Sequence, residues 1–74
     1  MARLIRMDRS GHTTLAEWSA EDAAAQEEAA AAFRRELDAG MLAAVTREDG
    51  SAEQVRELPL DAELVVLRRP IAGG

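Results

Sequence analysis

The chain has 74 residues, which is enough for one domain with a compact core but not for a deep substrate cavity as well. It contains no cysteine and a single histidine, which excludes disulfides, thiolate metal sites, a cysteine nucleophile and a zinc site built on His12 alone. The net charge of −5 argues against nucleic acid as a partner, and all nine basic residues are arginines, which excludes lysine chemistry on this chain.

Two strand-like runs at the start of the chain predict a β-hairpin. Residues 2–7 mix apolar side chains with arginines, and residues 13–18 are rich in β-branched and aromatic residues, which suit a pleated surface. The segment between them contains Gly11, which is free to take a positive φ. We expect His12 in this loop to be solvated, and Trp18 to pack in the core or at its rim.

An alanine-rich helix follows. Ser19 is a suitable N-cap, acidic residues come directly after it, and Gly40 fits the left-handed position that ends a helix, so the sequence predicts a helix from Ser19 to Ala39. Its spacing predicts one buried stripe, formed by Ala29, Ala30, Phe33 and Leu37. We expect its charged residues to face solvent.

Three further strands are predicted after the helix. Residues 41–47 form the first and residues 53–58 the second, with Asp49 and Gly50 in a hairpin turn between them. Residues 63–69 form the last strand, and the continuous apolar run from Leu64 to Leu67 predicts a central strand buried on both faces, beside the first strand. The predicted order is β-β-α-β-β-β, an α+β domain with one helix packed on one mixed sheet.

The order of elements and the ending of the sequence resemble the β-grasp, ubiquitin-like proteins. The ending is most similar to the sulfur carriers of thiamine and molybdopterin synthesis, and it also resembles small actinobacterial ubiquitin-like proteins. The residues that carry this resemblance are an acidic turn (Asp61, Ala62, Glu63), an apolar strand (64–67), and the segment Arg68-Arg69-Pro70-Ile71-Ala72-Gly73-Gly74. The resemblance implies a domain of residues 1–69 and a flexible tail of residues 70–74.

In such families the reactive group is the carboxylate of the last glycine, here Gly74. The resemblance implies that a partner similar to ubiquitin-activating enzymes joins this carboxylate to AMP with ATP, after which the tail carries sulfur as a thiocarboxylate or is conjugated to a target. Gly73 and Gly74 lack a Cβ and can thread a narrow channel, and Pro70 limits flexibility before them. Arg68, Arg69, Pro70, Ile71 and Ala72 would contact the partner, which supplies the catalytic side chains and uses the ATP.

The same residues leave alternatives open. One is a protein-interaction module of the same fold whose tail is never activated, and another is an enzyme, for which the sequence shows no catalytic constellation. A sulfur-accepting synthase or a conjugation target would be a further partner. The sequence has neither an apolar run long enough to cross a bilayer nor a signal-peptide pattern, so we expect a cytoplasmic protein without bound cofactor or metal and without a membrane partner.

Overall fold

The first two strands form an antiparallel hairpin in the computed structural model of this protein, which describes residues 1–70. β1 is Ala2–Asp8 and β2 is Gly11–Trp18. The pairing shifts by one residue at Leu15, which forms a bulge in β2. At the turn, Gly11 has a φ of 122°, a conformation that a residue with a Cβ rarely adopts. The predicted hairpin is confirmed.

The helix, α1, is Ala23–Asp38, and it begins later than predicted. Its N-cap is Asp22, whose Oδ1 accepts a hydrogen bond from the backbone N–H of Ala25 at 3.0 Å. Ser19, the predicted N-cap, lies in the preceding turn, where its backbone oxygen accepts from the N–H of Asp22. The helix end is as predicted, because Gly40 follows it with a φ of 98°.

The buried stripe of α1 differs from the prediction at one position. Ala29 and Phe33 are buried and Leu37 is half-buried, as expected, but Ala30 is exposed and Ala32 takes its place. Alanines occupy several faces of this helix, so the apolar pattern alone does not say which of them faces the sheet. Because most of the buried positions are alanine, the helix lies close to the strands beneath it.

The remaining strands complete one five-stranded sheet. β3 is Leu42–Thr46, β4 is Ala52–Val55 and β5 is Leu64–Arg68. β4 is shorter than the predicted strand over residues 53–58, because the chain leaves the sheet after Val55 and crosses towards β5. The strand order is β2-β1-β5-β3-β4, with β5 parallel to β1 and antiparallel to β3. The protein is therefore a small α+β domain with one helix packed on a mixed sheet.

One hydrophobic core lies between α1 and the sheet. Trp18, at the end of β2, is 1% exposed, and its indole Nε1 donates a hydrogen bond to the backbone oxygen of Leu60 at 3.1 Å, which ties the crossing loop to the hairpin. The core residues are Leu4, Trp18, Ala29, Ala32, Phe33, Ala43, Val65 and Leu67.

The prediction that the last strand is buried on both faces is wrong. β5 is central and pairs on both sides, as predicted, and Val65 is fully buried beneath α1. On the opposite face, however, Val66 is only half-buried and Leu64 is 43% exposed. The reason is that α1 covers one face of the sheet and no other described element covers the second face, which we call the open face.

Candidate functional site

Arg69 and Pro70, the two described residues after β5, lie beside the β1–β2 turn, and we call them the tail base. β5 ends at Arg68, and the exposed residues Arg69 and Pro70 follow it. Because β1 and β5 run parallel, with Arg6 paired to Leu67, their carboxyl ends lie next to each other. Ile71, Ala72, Gly73 and Gly74 lie outside the described residues, so the predictions that concern them, and the division into residues 1–69 and 70–74, stay predictions.

A shallow depression surrounds this base. It is formed between the end of β1, the last turn of α1 with the segment that follows it, and the chain after β5. The Arg6 side chain crosses from β1 to the helix, where its Nη1 lies 3.1 Å from Oε1 of Glu36 in a partly buried ion pair. The residues that line the depression are Arg6, Met7, Asp8, Glu36, Ala39, Gly40, Met41, Arg69 and Pro70.

Asp8 is the carboxylate nearest to the tail base in the turn. Its Oδ1 accepts hydrogen bonds from the backbone N–H of Ser10 at 2.9 Å and from Ser10 Oγ at 2.7 Å. These two bonds, and then the positive charges of Arg6 and Arg69, hold the pKa of Asp8 below its ordinary value. At neutral pH a charged carboxylate therefore lies in the same depression as Arg69, the residue before the predicted tail.

The open face carries an apolar centre. Since Leu4 is in the core beneath α1, the next residue of β1, Ile5, points to the opposite face, and it is nevertheless only 8% exposed. Ile5 pairs with Val66 of β5, which in turn pairs with Ala44 of β3, so three apolar side chains lie in one row across the sheet.

Arginines flank this apolar row. Arg3 precedes Ile5 by two residues and Arg68 follows Val66 by two, so both side chains lie on the open face, one on each side of the row. Both residues are exposed. The open face thus combines an apolar centre with two arginines, of which Arg3 is paired with Glu17 of β2 on the same face, and at Arg68 it continues into the tail base.

The other candidates from the sequence do not form a site. His12 is exposed in the hairpin. Within residues 1–70, no three histidine or acidic side chains come together as a metal site would need. Over the same range, α1 falls short of the length and apolar character that a helix crossing a bilayer must have.

Sequence reasoning found the arginines after β5 but missed Ile5, Arg3 and Asp8. The signal for all three was the predicted pairing of the last strand with the first. A parallel register with Arg6 opposite Leu67 sets Ile5 beside Val66 and brings Asp8 to the level of Arg69. The prediction that β5 is central and lies beside β1 did not say which residues of the two strands are paired.

Comparison of the chain with protein-family models, with curated protein sequences and with solved structures gives no match.

Proposed function

We propose that this protein is a β-grasp, ubiquitin-like carrier whose Gly74 carboxylate is activated by a partner enzyme. The observation that carries the proposal is the position of β5, which is the central strand of the sheet and leads directly into Arg68-Arg69-Pro70. A central strand, hydrogen-bonded on both sides, is a rigid base from which to present a peptide to another protein. The helix on one face of a mixed five-stranded sheet is compatible with the β-grasp fold.

The chemistry proposed for the tail needs no catalytic side chain from this chain. A Gly74 carboxylate oxygen attacks the α-phosphorus of ATP in the partner's site, and pyrophosphate leaves. Hydrosulfide from the sulfur donor, or a target amine, then attacks the acyl carbon and AMP leaves, which gives a thiocarboxylate or an amide. A sulfur-accepting synthase would use the thiocarboxylate. The amide would join this chain to a modified target protein.

The open face is the proposed docking surface for the activating enzyme. On the open face, Leu64 is 43% and Leu42 36% exposed, so both leucines offer apolar area to bury beside the row Ile5-Val66-Ala44. Arg68 fits a carboxylate on the partner. Arg68 carries the surface directly to the tail, so a partner that covers the open face also reaches the residues after Pro70.

The test is intact-mass analysis of the chain ending at Gly74, after incubation with candidate adenylating enzymes, ATP and a sulfur donor. A gain equal to one sulfur-for-oxygen exchange, lost when Gly74 is deleted, supports sulfur carriage, and conjugates of higher mass support modification. Arg68→Glu is expected to slow the reaction, whereas Arg34→Glu, at an exposed position of α1, is the matched control. No change of mass with any candidate enzyme would refute the proposal.

A second function is favoured by the open face alone. A protein-interaction module would use Leu64 and Val66 to bind a partner without any reaction at the tail. Binding that survives deletion of residues 71–74 and is lost in Val66→Asp would support this function over the carrier, because a carrier needs the deleted residues.

A further inference from the structure

The parallel register of β1 and β5 brings two opposite charges together at the tail base. Arg6 is paired with Leu67. Two residues further along the chain, Asp8 ends β1 and Arg69 directly follows β5. Side chains two residues apart in extended chain lie on the same face. Arg6 and Leu67 both lie on the helix side, one bonded to Glu36 and the other in the core, so Asp8 and Arg69 project to that side as well.

The surroundings of the two side chains agree with this register. Asp8 and Arg69 line the same depression beneath the last turn of α1, and they also line a second, adjoining depression on the β1–β2 turn. Among the described residues the direct ion pairs are Arg6–Glu36 and Arg47–Glu53, so Asp8 and Arg69 attract each other across the depression without a direct ion pair. After the two bonds from Ser10, the charge of Arg6 and then that of Arg69 lower the pKa of Asp8. The other charged groups that face this position are Glu36, which Arg6 neutralises, and Arg9 of the turn.

One of the two partners is fixed in place. Two hydrogen bonds from Ser10 fix the orientation of the Asp8 carboxylate. Pro70 disfavours the helical conformation for the backbone of Arg69, because its ring crowds the preceding residue. The Arg69 side chain keeps its rotamer freedom, so its attraction to Asp8 is at most that of an ordinary exposed ion pair.

We propose that Asp8 is a positioning residue for the tail, and that the attraction between its carboxylate and the Arg69 guanidinium favours one direction in which the chain leaves β5. Its role in presenting Gly74 to an activating enzyme rests on the proposed function, whereas the pairing itself does not. The hairpin turn thus belongs to the functional end of the molecule, although it contains no reacting group.

The chain supplies its own control for this proposal. Asp49, in the β3–β4 turn, accepts the same two hydrogen bonds from Ser51, at 2.9 and 2.6 Å, and its pKa is also lowered. Among the described residues, however, no arginine contributes to the lowering at Asp49. The two aspartates therefore share a local structure and differ in two nearby arginines, Arg6 and Arg69, of which the substitution at Arg69 isolates the second.

The first experiment follows the side-chain carboxyl carbons of both aspartates by NMR during a pH titration. In Arg69→Gln we expect the pKa of Asp8 to rise towards its ordinary value while that of Asp49 stays unchanged. High salt should reduce the difference between the wild-type protein and the variant, since exposed charges are screened. An Asp8 pKa that is the same in both proteins, or that moves together with that of Asp49, would overturn the pairing.

The second experiment compares Asp8→Asn with Asp49→Asn. Asparagine keeps an oxygen that can accept from the following serine, so both turns are preserved and only the charge is lost. We expect the Arg69 Nε–H group to lose order, in NMR relaxation, in Asp8→Asn alone. Equal relaxation of this group in the two variants would overturn the proposal.

The same two variants test presentation of the tail, by pyrophosphate exchange with an enzyme that activates the wild-type chain. We expect Asp8→Asn to react about 1.5-fold to 5-fold more slowly than Asp49→Asn, the range that an exposed ion pair supports. Equal rates would overturn the positioning role. If no enzyme activates the wild-type chain, the proposed function fails, and the titration still decides the pairing.

Discussion

Val65 and Val66 are neighbours on the central strand β5, and we expect truncation of each to alanine to have very different effects. Val65 is fully buried beneath α1, whereas Val66 is half-buried on the open face. Valine to alanine removes two carbons, which is about 1.6 kcal/mol of transfer free energy at about 0.8 kcal/mol per carbon. At Val65 the cavity left under the helix raises the cost to about 2 to 3 kcal/mol.

At Val66 the solvent can fill the space, and we expect a cost of about 0.5 to 1 kcal/mol. The lower β-propensity of alanine weakens both variants alike, because both positions lie in the same central strand, so it cancels in their difference. That difference of about 1 to 2.5 kcal/mol is large beside the roughly 4 to 11 kcal/mol that stabilises a domain of this size.

The assay is thermal and urea unfolding, followed by circular dichroism at two protein concentrations. Val65→Ala is expected to melt about 4 to 20 °C below Val66→Ala. Equal destabilisation by the two substitutions would refute the reasoning, because it would mean that the open face is covered in solution. A dependence of the Val66→Ala effect on protein concentration would identify a second copy as the cover.

Three further predictions concern the core, the helix and the turns. Trp18→Phe is expected to lower the free energy of unfolding by about 1 to 3 kcal/mol in urea titrations, because the oxygen of Leu60 loses its donor and the smaller ring leaves a void; no change would contradict the burial of the indole. Asp22→Ala should cost about 1 kcal/mol and lower helicity in circular dichroism, while Ser19→Ala should have little effect; the reverse order would restore Ser19 as the N-cap. Three carboxyl groups have lowered pKa values, so each stabilises the fold above its ordinary pKa of 3.8 (Asp) or 4.5 (Glu), and this contribution is lost as the pH falls through the lowered value. These groups are Asp8, Asp49 and Glu53. The melting temperature should therefore fall on acidification below about pH 4.5, and a rise would contradict the lowered pKa values.

The end of the helix could be predicted because Gly40 differs in chemistry from the residues around it. The buried positions and the N-cap were predicted less well, because several residues of similar chemistry compete for each. Gly40 marks the end of the helix because its φ of 98° suits a residue without a Cβ. Within the helix, Ala30 and Ala32 offer the same side chain to either face, and the choice depends on how α1 lies on the sheet. Ser19 and Asp22 are both residue types that cap helices well. Asp22 is the N-cap because Ser19 lies in the turn that precedes the helix.

The candidate site was predicted only in part, because some of its residues lie on β1, which is far from β5 in the sequence. Arg68 and Arg69 follow an apolar run and could be named from the sequence, whereas Asp8 is separated from them by most of the chain. Likewise, Leu64 to Leu67 is an apolar run that does not reveal whether one or both faces are covered. That answer depends on the number of covering elements, and the described residues contain one helix.

The central position of β5 has a consequence for how the protein folds. β1 and β2 form one part of the sheet and β3 and β4 the other, and β5 pairs with β1 on one side and with β3 on the other. The pairing of β5 with β1 joins segments far apart in sequence, and such non-local contacts slow folding because the chain entropy is lost before the contacts form. The two parts of the sheet are hydrogen-bonded to each other only through β5, so a chain in which β5 is unpaired has no fixed base for its tail. An enzyme that binds the open face together with the tail would thereby select folded molecules from unfolded ones.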